Sequence, residues 1–130
     1  MTIANIVNVA TIHGGNAGWN LSNTLTATLL TVDAHKTLKI NTIICSNVDG
    51  TNAATLNLYV DGMGNGADGV TTTSESATVY LAKTISVPAD ATLVILDAPI
   101  YLMENDVLKG GASAASDLDL FVSFEVIDDA

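Results

Sequence analysis

In "DGMGNGADGVTT", which begins at Asp61, oxygen-bearing side chains recur at short intervals among glycines, the chemistry by which a loop holds a calcium ion. Asp61, Asn65 and Gly66 fall at the first, fifth and sixth places of an EF-hand loop. Met63 takes the third, a ligand place, and Thr72 the twelfth, where a bidentate Glu is needed, so an EF-hand is excluded. A looser oxygen-ligand site from Asp61, Asn65 and Asp68 stays open beside the plainer reading of 61–76 as a solvated glycine-rich loop that carries contacts. No metal or cofactor is assigned.

Other reactive side chains are scattered. His13 and His35 lie at expected turns, with no second His or Cys at the spacing zinc requires. Serines are common, yet no G-x-S-x-G elbow occurs, and "NLSN" or "TSES" beside a distant His reflects composition. Asp117 and Asp119 are placed on one strand face, where a carboxylate pair could serve glycosidic acid and base chemistry. Such chemistry wants a groove of several aromatics, and the chain has only Trp19, three tyrosines and two phenylalanines. Trp19, unique and inside "GGNAGWN", is expected to be buried under a loop or at the mouth of the core rather than present a sugar-stacking platform. Cys45 is the sole cysteine, so no intramolecular disulfide can form, and its apolar setting "TIICS" makes it a structural thiol rather than a nucleophile. No catalytic residue is assigned, and the chain is read as a non-enzyme.

Charge excludes more. The acidic residues number 14 against Lys36, Lys39, Lys83 and Lys109, with no arginine, giving a net charge of -10. Phosphate neutralisation and base readout need clustered Lys and Arg, so neither nucleic acid nor an anionic membrane is an expected partner. "MTIANIVNVATI" lacks the basic start and cleavage pattern of a signal peptide. The most apolar stretch, 93–103, is broken by Asp97 and Pro99 and is too short to span a bilayer. The expectation is a chain made in the cytoplasm.

The elements that must carry these residues are strands. A chain of 130 residues buries about two thirds of its unfolded surface in one core, so 1–130 is read as a single domain, with 1–9 as an N-terminal arm. "LDLFVSFEVI" reads as a half-buried strand with extra apolar cover, with Leu118, Leu120, Val122, Phe124 and Val126 assigned inward and Asp119, Phe121, Ser123, Glu125 and Ile127 outward. "ATLNLYVDG" places Leu56, Leu58 and Val60 inward, and "TLKINTIICS" begins by alternating and ends apolar on both faces, as a central strand does. Turn signals fall at "HGGNAG", "DAHK", "NVDGTN", "VPAD", "MEND" and "GGASAASD". About eight strands follow, near 3–12, 19–32, 37–46, 53–61, 77–87, 91–97, 99–103 and 118–127, with a short extra one near 107–109. In "SVPADATLVILDAPIYLMEND", Pro88 and Asp90 turn the chain and Pro99 restricts "IYLM" to an edge or a strand start. Short strands with frequent turns must stack two sheets, so the fold class is all-β: a single antiparallel β-sandwich, jelly-roll or immunoglobulin-like.

The segments "TLKINTIICSNVDGTNAATLNLYVDG" and "YLAKTISVPADATLVILDAPIYLMENDVLKGGASAASDLDLFVSFEVID" resemble the small β-sandwich virion structural proteins of tailed bacteriophages. The features shared are an apolar strand ending at a polar Asn turn, a "YLAK" strand leading to "ISVPADATL", and a final "S-x-E" strand. The resemblance spans residues 37–128; it departs at Asn105, where such turns often carry Gly before the Asp, and leaves the first 36 residues unmatched. It implies a repeated virion component, a capsid decoration or cement protein or a neck or tail accessory, with major capsid or neck/tail proteins as partners. The alternative is a carbohydrate-binding or adhesive sandwich, which needs Trp19, Tyr59 and Tyr80 on one exposed face. A mean hydropathy of +0.41 in a 13.4 kDa chain adds the expectation of a symmetric homo-oligomer, a trimer or larger ring.

Overall fold

Alternating apolar side chains can be buried on one side only if the chain is extended, and nine strands form accordingly in the computed structural model, which describes residues 9–62 and 72–129. They are β1 (Val9–Asn20), β2 (Thr28–Thr31), β3 (Lys36–Asn47), β4 (Ala54–Asp61), β5 (Val79–Val87), β6 (Thr92–Leu96), β7 (Ile100–Leu102), β8 (Val107–Ala112) and β9 (Leu118–Asp129). One sheet has the order β1-β9-β3-β6, with β7 also pairing β3; the other has the order β2-β8-β4-β5. Every pairing is antiparallel. No helix of the described residues is long and apolar enough to cross a membrane.

The pairings nest. Strand β4 pairs with β5, β3 with β6 and β7, β2 with β8, and β1 with β9. A chain paired this way is one long hairpin rolled into two sheets, which decides for the jelly roll over the immunoglobulin-like sandwich.

Between the sheets, Ile40, Ile43 and Cys45 of β3 with Leu118, Leu120 and Val122 of β9 come from one sheet, and Leu56, Leu58, Leu108 and Val87 from the other. Each large aliphatic side chain so buried contributes about 1.5–3 kcal/mol relative to exposure. The inward sets expected for β4 and β9 are therefore found, with Phe124 and Val126 half-buried against the cluster. Strand β3 is central, flanked by β9 and by β6 and β7.

Four expected turns are present. Asp90 at φ 58° turns "VPAD", Asn105 at φ 70° turns "MEND" and His35 at φ 62° turns "DAHK". Asparagine tolerates this left-handed conformation, which is how Asn105 fills a place suited to glycine. In "NVDGTN" the buried Asn47 donates from Nδ2 to the carbonyls of Asn52 at 3.0 Å and Val87 at 2.9 Å, while its Oδ1 accepts the Asp49 N–H. This one side chain fastens the end of β3 to β5 of the opposite sheet.

One expected turn is a strand instead, and another is strand in its first three residues and turns only over 113–117, with Ser116 at φ 69°. "HGGNAG" lies inside β1, paired residue for residue with β9, and the first two glycines after Lys109 belong to β8. Both stretches read as turns because they are glycine-rich, yet here glycine answers crowding. A Cβ on Gly110 would stand 2.1 Å from the Asn57 carbonyl oxygen, one on Gly111 2.4 Å from that of Thr24, and one on Gly15 2.9 Å from the Phe124 ring. The extra strand near 107–109 is thus the full strand β8, and the count is nine rather than eight. The strand expected at 19–32 is also corrected: β1 ends at Asn20 and β2 begins at Thr28. Between them the chain crosses sheets, the Leu21 N–H bonding to the Leu118 carbonyl at 2.8 Å and Ser22 accepting from Ala112 at 2.9 Å. Of the arm at 1–9, Val9 opens β1 opposite Asp129, and residues 1–8 lie outside the described residues.

Candidate functional site

Antiparallel pairing sets outward residues of β1, β9, β3 and β6 in rows across the outer face of the five-stranded sheet. Gly18 is opposite Phe121, Phe121 opposite Ile44, and Ile44 opposite Val94, so one row is apolar from the β1 edge to the β6 edge. Phe121 is 40% exposed and Val94 60% exposed, and their alignment in one row, rather than the exposure of either alone, is the informative feature. Gly18 offers no side chain beside Phe121, and a depression of about 370 Å³ lies there, lined by Gly18, Asn20, Ile44, Ser46, Asp119 and Phe121.

The next row is polar and internally paired. Asn20 donates from Nδ2 to Asp119 Oδ1 at 2.7 Å, and the Ser46 and Thr92 hydroxyls are 2.9 Å apart. Toward the other end, Lys39 stands opposite Glu125, and Lys36 reaches Asp128 at 3.3 Å. The face thus grades from an apolar row with a polar border to a charged end.

The outer face of the four-stranded sheet is built differently. The Tyr59 and Tyr80 rings lie 5.0 Å apart, and Lys83 Nζ is 5.0 Å from the Tyr80 ring centre, within reach of its π-face. Lys109 Nζ donates to Asp61 Oδ2 at 3.0 Å, and the Thr78 hydroxyl donates to Asp61 Oδ1 at 2.8 Å. The Lys109 bond, then those of Thr78 and the Gly62 backbone, hold the Asp61 carboxyl below its ordinary range; the same Asp61 contact raises Lys109.

The residues singled out for chemistry are dispersed. Asp61 is engaged by Lys109 and Thr78, while Asn65 and Asp68 lie outside the described residues. His13 is in the middle of β1 rather than a turn, opposite Val126, whereas His35 is in the turn before β3. Asp117 sits in the bend ahead of β9, where its carbonyl accepts from Val48, and so does not share a strand face with Asp119. Among the described residues no three His, Cys, Asp or Glu side chains gather as metal ligands. Cys45 is fully buried, and its thiol is pushed up to about 11, by desolvation first and the Asp119 charge second. Trp19 packs against the core from β1, whereas Tyr59 and Tyr80 are on the opposite sheet, so the three aromatics do not share a face.

Two buried carboxylates were not singled out from the sequence. Glu104 Oε2 accepts the His35 N–H at 2.6 Å, and Asp106 Oδ2 accepts the Met103 N–H at 2.9 Å, in the turn that ends β7. Burial, opposed by that Met103 bond and aided by the Glu75 charge, raises Asp106 above its ordinary value. The "MEND" signal marked the turn but not the role of its acids: Glu104 ties the turn to the His35 loop, and Asp106 closes the turn on itself. The apolar row was legible only in part: alternation placed Phe121 outward, but its alignment with Ile44 and Val94 depends on register across four strands.

No family model, curated protein or solved structure matches this chain.

Proposed function

We propose that this chain is a non-enzymatic structural subunit of a tailed-phage virion, made in the host cytoplasm and added in many copies to capsid or neck/tail neighbours as a decoration, cement or accessory protein. The observation that carries this reading is the exposed row from Gly18 to Val94, which offers an apolar surface bordered by hydrogen-bonding groups. Such a surface suits a protein neighbour, because burying Phe121 and Val94 gains hydrophobic free energy while Asn20, Ser46 and Thr92 at the border tolerate water. The resemblance over residues 37–128 supplies the virion context; the jelly-roll connectivity is compatible with it but serves many functions.

Mass spectrometry of purified particles from the producing host is expected to find the chain in many copies. Phe121→Asp, at an exposed outward position, should leave the melting temperature nearly unchanged and prevent incorporation. Particles lacking the wild-type chain would refute the reading, and normal incorporation of the variant would remove the row from it.

A further inference from the structure

Each sheet has two edges, and three of the four are blunted. Strand β2 has four residues, and β6 has five and is followed by Asp97 and Pro99 before the three-residue β7. Strand β5 carries Lys83 at its middle and a register irregularity at Thr84, whose φ is 52°. Short length, an edge lysine, a nearby proline and a bulge are the means by which sheets avoid adding strands. Strand β1 has only a register shift at its very start, between Val9 and Thr11. It is twelve residues long, keeps regular register with β9 from Thr11 to Asn20, and contains no Asp, Glu, Lys, Arg or Pro. Among the described residues β9 alone pairs with it.

We propose that β1 pairs antiparallel with β1 of a second copy across a two-fold axis, joining two five-stranded sheets edge to edge. Self-complementarity favours this occupant, since β1 carries both the protruding Ile12 and the open place at Gly18, and charge favours the place: two chains of net charge -10 repel, and a strand without Asp, Glu, Lys or Arg is where they can approach most closely. Centring the axis on Gly15 places Ile12 of one copy opposite Gly18 of the other and Gly14 opposite Asn16, all on the outer face. Ile12, 61% exposed in the single chain, then fills the space beside Phe121 that Gly18 leaves open. The apolar row runs on through Ile12 to its own neighbour Ile127, with a reciprocal row on the other side of the axis. Backbone donors and acceptors of the edge are satisfied in the same step. The pairing rests on the edge and on Gly18, and it does not require the virion role.

Sedimentation equilibrium of the full chain is the test. The wild type is expected to be dimeric at micromolar concentration. Ile12→Glu/Gly18→Glu, which opposes like charges across the axis twice, should be monomeric, and Ile12→Lys/Gly18→Glu should restore the dimer. Circular dichroism checks that each variant is folded. If the double Glu variant does not fold, the register is read from disulfides instead: an Ile12→Cys chain mixed with a Gly18→Cys chain should crosslink on mild oxidation, and neither alone. Buried Cys45 does not compete. A wild type that stays monomeric, a double Glu variant that folds and stays dimeric, or a Cys mixture that fails to crosslink would each overturn the proposal.

Discussion

On the four-stranded sheet, the outward Tyr59, Tyr80, Lys83, Asp61, Lys109 and Thr78 contact one another through ring packing, a cation above a ring, an ion pair and a hydroxyl bond. On the five-stranded sheet, the outward Phe121, beside Gly18, and Val94, across Ile44 from it, face solvent. Both faces belong to the same sandwich, but the Phe121 row stays exposed, whereas the groups of the tyrosine face, like the Asn20–Asp119, Ser46–Thr92 and Lys36–Asp128 pairs of the five-stranded face, are engaged within the chain. With four lysines in all, two on the four-stranded face and two toward the Asp128 end of β3, the Phe121 half of the other face is left without a cation. A face satisfied within the molecule contributes to its stability; one left open is available to a neighbour.

The sharpest break between inside and outside is expected at adjacent positions of β9. Val122→Asp buries an unpaired charge at a fully enclosed site and should cost several kcal/mol, about the whole stability of a small domain. Ser123→Asp, pointing outward, should change little. Equal losses in thermal denaturation would contradict the assigned faces.

A smaller loss is expected where β8 crosses close to β4. Gly110→Ala forces its Cβ against the Asn57 backbone, which cannot yield as a flexible side chain would, at a cost of about 1–3 kcal/mol or more. Gly14→Ala, with open space around the new methyl, is the control. Urea denaturation midpoints that coincide for the two would argue against close approach of these strands.

The acids give the smallest effects, with opposite signs. Asp61 is lowered in the folded state, so its contribution is present at neutral pH and disappears as the pH falls below about 4, through its folded value. Asp61→Asn should therefore lower the melting temperature at pH 7 and match the wild type in strong acid. Asp106 is raised, so the folded state favours its protonated form: that contribution is present in acid and is lost as the pH rises through the folded value. Asp106→Asn keeps an acceptor for the Met103 N–H and should hold or raise the melting temperature at pH 7. A marked fall there would show that the carboxylate charge itself stabilises the turn.

Alternation alone made β9, β4 and β3 legible, because a period of two in strongly apolar residues leaves one way to bury Val122, Leu58 and Ile40. The turns at Asp90 and Asn105 were legible through residues that tolerate positive φ. Glycine misled at Gly15 and Gly110, since a residue chosen for lack of a Cβ looks the same whether it serves a turn or a crowded strand. The candidate face was the least legible part. Gly18, Phe121, Ile44 and Val94 are far apart in sequence, and only the order of strands in the sheet sets them in line.

Nesting of the strand pairs also bears on how the chain folds. Strands β4 and β5 pair across one connection, but β1 must wait for β9, eight strands later in chain order. Contacts of such sequence separation close slowly, because loop entropy is lost before the contacts form. The glycine-rich β1 is therefore expected to leave the ribosome long before its partner exists. During that interval both of its backbone edges are open, and nascent chains on neighbouring ribosomes are exposed to mispairing through it. Pulse-labelled hydrogen exchange during refolding should find the amides shared by β1 and β9 protected after those shared by β4 and β5.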